Sequence, residues 1–406
     1  MTPRINKWIF YATLVAYFFY FLQGSLFEKG DFLSKVPLFA YLMGCAFFTL
    51  QSFFLTKLPG FVVLWLLLLF LNIAGYFISP LDNLVYAGEH YLGTVRTIVF
   101  VSLSLFPFYY LAKIEVILEL EMRILALTLL AVFLLGYFTA KENLVQMRLT
   151  REQVNEVYGL VFVVPFVFFF RNNVLKYLFM FVCFAVVVSS FKRGALISIS
   201  AGISIAIYWS VFKDLTKGNV LRLLLAFIGG IGFVLASYFF ISQTETLIQR
   251  FERIGRDGGS GRNWVYTRLW EAWLDGTFLE KILGFGYGGT YRIVGMAGHN
   301  DLLELLVNFG LFGAALYLCL WQSLFRIIWR FTPNHPEKYA AASILVMWIF
   351  DSMYQQWYNS LYASASVMVL GYIIGKYDRP LHSCVDGKHL VDMKLNMRNA
   401  AVRLPS

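Results

Sequence analysis

Residues 59–79 read PGFVVLWLLLLFLNIAGYFIS, with no charged side chain among them. About 20 apolar residues at a 1.5 Å rise cover ~30 Å, the thickness of a bilayer's hydrocarbon core. A helix pairs every backbone group inside such a segment, so the stretch predicts a membrane-spanning helix. Working outward, similar apolar runs occupy 8–27, 37–56, 92–112, 123–141, 153–170, 174–190, 194–212, 220–241, 300–325, 339–354 and 359–375. They predict an all-α polytopic membrane protein of about twelve transmembrane helices. Residues 1–376 form one integral-membrane domain, and 377–406 a basic tail. The first run is too long and too aromatic for a cleavable signal peptide, and it lacks a small-residue cleavage site.

Composition agrees. The chain is 59% hydrophobic, 18% aromatic and 14% charged, with a mean hydropathy of +0.65, which excludes an ordinary soluble domain. The formal charge of +10 sits largely in loops beside the spans and in the tail, where anionic membrane lipids account for it better than nucleic acid. Cys45, Cys183 and Cys319 fall inside spans and Cys384 in the tail. That is neither a disulfide framework nor a metal spacing, and no metal or cofactor is expected. Lys7, Lys57, Lys113, Arg123, Arg171 and Lys338 flank the spans on one side. By the positive-inside rule both termini are cytoplasmic, and the loop 242–298 between spans nine and ten is exterior.

That loop carries Arg250, Arg253, Arg256, Arg262, Arg268 and Arg292, against the usual bias of charge. Arg250, Arg253 and Arg256 follow a helical spacing, and Gly258-Gly259-Ser260-Gly261 precedes Arg262. Glycines let backbone approach a phosphate, and a guanidinium fork matches its oxygens. Pairing with Glu245, Glu252, Asp257, Glu271, Asp275 and Glu280 is the plainer reading. Trp264, Tyr266, Trp270 and Trp273 read as interfacial anchors, with a sugar-stacking platform from one or two of them as the lesser alternative. Two further exterior segments are polar. Arg148, Arg151 and Asn155 form either a solvated loop or the rim of a cavity. Lys192 and Arg193 lie in a tight turn between spans, where an arginine faces a polar cavity or an anion unless it snorkels to the interface. His299 closes the long loop at the start of a helix, whose dipole disfavours a protonated ring and leaves an imidazole free to accept a proton.

His299-Asn300, nine residues, Gly310, two residues and Gly313 resemble the signature of bacterial O-antigen ligases and the related Wzy-type O-antigen or capsular polysaccharide polymerases. Ser260-Gly261-Arg262, Leu283-Gly284-Phe285-Gly286 and Phe191-Lys192-Arg193-Gly194 resemble further elements of that family, and Arg148 to Asn155 is a looser match. The resemblance covers roughly residues 145–320. It implies a metal-independent, inverting glycosyltransferase of the GT-C type in the bacterial inner membrane, with a periplasmic active site. The implied donor partner is an undecaprenyl-diphosphate-linked oligosaccharide. His299 is then the general base, Arg193, Arg262, Arg253 and Arg256 contact the diphosphate, and Asn300 and Asp301 orient the base or bind sugar hydroxyls, unless Asn300 only caps its helix. A polymerase is the leading expectation, with a chain-length regulator as a candidate partner. The alternative is a ligase that transfers the glycan to lipid A core; a lipid-linked oligosaccharide flippase is a third, weaker reading.

Overall fold

The computed structural model describes residues 3–26, 32–79, 87–146, 155–190, 192–215, 262–332, 335–354 and 356–378. Among them every regular element is a helix. The first group is α1 (Pro3–Leu26), α2 (Phe32–Leu55), α3 (Gly60–Ile78), α4 (Ala87–Leu103) and α5 (Leu105–Lys113). Next come α6 (Glu119–Gln146), α7 (Val157–Phe162), a 3-10 segment (Val164–Phe169), α8 (Asn173–Ser189) and α9 (Arg193–Leu215). The remainder are α10 (Arg262–Asp275), α11 (Phe278–Leu283), α12 (Gly289–Val294), α13 (Asp301–Arg330), α14 (Pro336–Tyr354), a 3-10 turn (Leu361–Ala363) and α15 (Ser364–Tyr377).

Six helical stretches among the described residues are long and apolar enough to cross a membrane: Pro3–Gln23, Lys35–Leu55, Gly60–Ile78, Leu92–Lys113, Glu119–Asn143 and Asp301–Arg330. Their outward faces are apolar too. Phe53, Phe54, Phe70, Phe77 and Ile78 are each more than half exposed, a surface that water penalises and lipid accepts. The apolar run 59–79 is α3 to within a residue. The run 153–170 departs from expectation, because it divides into α7 and a 3-10 segment around Val163. Pro165 opens that segment without an N–H to give, and the whole stretch is buried, so packing and not helix regularity sets its path. The runs 220–241 and 242–261 lie outside the described residues.

The core is organised around α15, which is buried on every side from Ser364 to Gly375. Gly371 and Gly375 sit four residues apart on one face. A Cβ there would come within 2.3 Å of the Leu105 carbonyl oxygen and 2.2 Å of that of Tyr109. These two glycines let α15 and α5 touch backbone to backbone, as small-residue pairs do between membrane helices.

The bundle has two chemically different ends. At one, Lys7 pairs with Glu121 at 2.7 Å, Lys113 with Asp378 at 2.6 Å and Arg123 with Glu119 at 3.1 Å. Lys376 bridges Glu337 and Glu119. The ends of α1, α5, α6, α14 and α15 are thereby tied together. At the opposite end the starts of α9, α10 and α13 meet the finish of α14, and the candidate site lies there. Gly375→Val forces a side chain into the Tyr109 carbonyl, an overpacking of about 1–3 kcal/mol or more. The variant is expected to lower the thermal unfolding temperature in detergent, whereas Gly60→Ala, where a Cβ meets nothing within 4 Å, leaves it unchanged.

Candidate functional site at the mouth of α13

The site is built on a helix that is interrupted on purpose. Within α13, Gly310 adopts φ 64° and ψ −160°, so the helical ladder breaks there. The carbonyls of Val307 and Asn308 accept instead from the N–H groups of Phe285, at 2.8 Å, and Gly286, at 3.0 Å. Only glycine fits on either side of this contact. A Cβ at Gly310 would lie 2.3 Å from the Ile282 backbone, and one at Gly284 would lie 2.4 Å from that of Asn308. Two separate motif fragments, Gly310 and Gly284-Phe285-Gly286, are thus one structural unit. α11, held by a capping box between Thr277 and Glu280, delivers the second fragment to the break.

At the head of α13, Asn300 caps the helix by accepting the Leu303 N–H at 2.9 Å, and its amide donates to the Met353 carbonyl at 3.5 Å. Just before it, His299 has φ 51°, in the left-handed region that few non-glycine residues enter. That conformation costs roughly 1–2 kcal/mol, and two neighbours offset it. The His299 N–H donates to Glu304 Oε1 at 3.0 Å, and the His299 carbonyl accepts from the Tyr266 hydroxyl at 3.2 Å. At about 0.5–1.5 kcal/mol net apiece, the two bonds are enough to hold the turn.

α10 forms the adjoining wall. Arg262 Nη1 donates to the Tyr354 carbonyl at 2.6 Å, and Tyr266, one turn further on the same face, shares its single hydroxyl proton between the His299 carbonyl and Met353 O, each at 3.2 Å. These are terminal carbonyls of α14, which have no partner within their own helix. On the remaining side the Lys192 ammonium donates to the Asn155 side-chain oxygen, and Arg193 opens α9. Crowding by its neighbours, then the positive fields of Arg262 and Lys192, hold the His299 imidazole pKa below its ordinary value of 6.5. The residue as a whole nonetheless keeps access to solvent. The arrangement can therefore present a neutral, accessible proton acceptor beside cationic groups, a combination suited to an anionic substrate that must lose a proton elsewhere.

The expected site residues fare differently. His299, Arg262 and Asn300 converge on one junction, and Asn155 joins through Lys192. Asn300 serves as the helix cap. Asp301 does not face a sugar: it is fully buried and its Oδ2 accepts from Ser352 at 2.7 Å, from the Trp357 N–H at 3.0 Å and from the Tyr317 hydroxyl. Its neighbours Trp348 and Trp357 stack 4.2 Å apart beneath the site. Arg148, Arg151, Arg253 and Arg256 lie outside the described residues. Sequence reasoning passed over Glu304, Gln356 and the hydroxyl of Tyr266. The polar stretch Asp351-Ser352-Met353-Tyr354-Gln355-Gln356 between two apolar runs was the available signal for Gln356.

No family model matches the chain, and no curated protein matches it. Substituting glycine at position 299 removes the left-handed penalty. His299→Gly is expected to raise stability by about 1 kcal/mol, read as a higher unfolding temperature, while Gly310→Ala should lower it by a similar amount or more through collision with Ile282. An unshifted midpoint in both variants would mean that the turn and the break carry no strain.

Proposed function

We propose that the protein is a metal-independent, inverting glycosyltransferase of the GT-C type that polymerises glycan repeat units. In this reading it spans the bacterial inner membrane about twelve times, with both termini cytoplasmic. The donor is an undecaprenyl-diphosphate-linked oligosaccharide, and the acceptor is the non-reducing end of a lipid-linked repeat unit at the periplasmic face. The observation that carries the proposal is the placement of His299, in a left-handed turn at a helix mouth within the fields of Arg262 and Lys192. The family resemblance of the residues that meet there supplies the substrate class.

The chemistry needs two things from the protein. The acceptor hydroxyl must lose its proton as its oxygen bonds to the anomeric carbon, and His299 takes that proton. The bond from the anomeric carbon to the diphosphate breaks, and its electron pair leaves on the diphosphate. Arg262 and Arg193 neutralise that charge, as preorganised cations do in a partly dehydrated site. Arg253 and Arg256 are further candidates for this contact. Attack from the base's side with departure on the other inverts the anomeric carbon. General-base assistance is worth about 10²–10⁴ in rate.

Purified protein given a lipid-linked repeat unit should build a ladder of products with no lipid A core present. A ligase would form product only with that core, and a flippase would move the lipid without forming a glycosidic bond. His299→Ala is expected to reduce transfer by about 10²-fold or more while membrane expression is kept; full activity would remove the base assignment. Arg193→Lys keeps charge but loses the bidentate fork, and a large loss of transfer is expected. The neutral imidazole is the active form. Transfer should therefore hold as pH falls to the ordinary histidine range and decline only below 6.5, since the His299 pKa is held under that value.

A further inference from the structure

We propose that Glu304 is a positioning residue for His299, gripping the backbone of the left-handed turn so that the imidazole is held in place at the mouth of α13. The inference rests on the glycosyl-transfer reading for its effect on rate, though not for its effect on the ring.

Glu304 lies in the first turn of α13 and is 4% exposed, so it touches no substrate. Its Oε1 accepts the His299 N–H at 3.0 Å and also the Gln356 side-chain amide. The Gly298 N–H reaches the same carboxylate. Two successive backbone donors thus converge on one side chain, and the geometry leaves no room for error. A Cβ on Gly298 would stand 2.9 Å from Glu304 Cγ. Gln356 belongs to the segment after α14, whose next residue, Trp357, donates its N–H to Asp301. Glu304 is therefore anchored from the α14 side while it grips the His299 side.

The contact is to backbone and not to the ring, so Glu304 does not take part in proton transfer. What it controls is the φ of His299. Without the grip, a residue just before a helix cap relaxes to the extended or right-handed regions that non-glycine residues prefer. The imidazole would then leave the position in which Arg262 and Lys192 act on it. A misplacement on the order of 1 Å at a reacting group costs about 10²-fold in rate.

Two variants and one spectroscopic readout decide the matter. Glu304→Ala should lower kcat by about 10²-fold with little change in KM for the donor. Glu304→Gln keeps a carbonyl acceptor for the His299 N–H and should restore most of that loss. In histidine-labelled full-length protein in nanodiscs, the His299 resonance is identified by its disappearance in His299→Ala. Its titration midpoint should move up toward the ordinary value in Glu304→Ala and stay put in Glu304→Gln. Wild-type kcat and an unmoved midpoint in Glu304→Ala would overturn the proposal, as would Glu304→Gln as impaired as Glu304→Ala. Should Glu304→Ala not fold, Gln356→Ala is read by the same two measures. A lower kcat with a raised midpoint supports the grip, and no change in either overturns it. If His299→Ala transfers glycan at full rate, the base role fails, while the titration still judges Glu304.

Discussion

A break in a buried helix must be paid in hydrogen bonds, and the break at Gly310 governs the arrangement of everything around it. In an unbroken helix the carbonyls of Val307 and Asn308 would accept from residues 311 and 312. In apolar surroundings no water stands in for those donors. Phe285 and Gly286 supply them, and by doing so dock the segment that follows α11 onto the middle of α13. Gly75 of α3 leaves room beside Phe309, where a Cβ would sit 2.6 Å from the ring. Three separate parts of the chain thus meet where the helix is interrupted.

From that anchor the first nine residues of α13 project as a short, stiff platform with the His299 turn at its tip. The platform is braced from below by Asp301. A buried carboxylate is expensive unless it is well bonded, and here three donors from α13, α14 and the following segment converge on one oxygen. The brace fixes α13 against α14 two residues away from the histidine that the proposed chemistry uses. Loss of such a brace would be felt at the site even though Asp301 itself never reaches solvent.

The two ends of the bundle use charge in opposite ways. At one end lysines and arginines meet carboxylates, so their charge is largely neutralised in place and serves to tie helix ends together. At the other, Arg262 bonds a backbone carbonyl. A guanidinium on a neutral acceptor keeps its full charge and most of its donors, which is what an anionic ligand requires. The same contact closes the C-terminus of α14, so Arg262 is held in place by the helix whose end it satisfies.

Much of this was legible in the chain itself. Uncharged runs such as 59–79 are long enough to require helices in a bilayer, because backbone polar groups there have no other partners, and among the described residues six helices are long and apolar enough to cross one. His299, Arg262 and Asn300 stood out from their types and neighbours, and they do converge. Periodicity was silent on the division of 153–170 into two short elements, since a wholly buried run has no polar face to betray its path. The direction of Asp301 was not legible, because a position near a histidine gives no hint of which way its side chain points; the helix phase turned it into the core. Glu304 carried no signal of its own in an apolar run, and the signature that holds Gly310 gave no sign that the helix breaks there. The sequence alone determined that the chain is helical and suited to a membrane, and which polar residues are anomalous there. Only tertiary structure decided which of them meet, because a left-handed turn, a helix break and the donors that satisfy them come from segments with no local relation to one another.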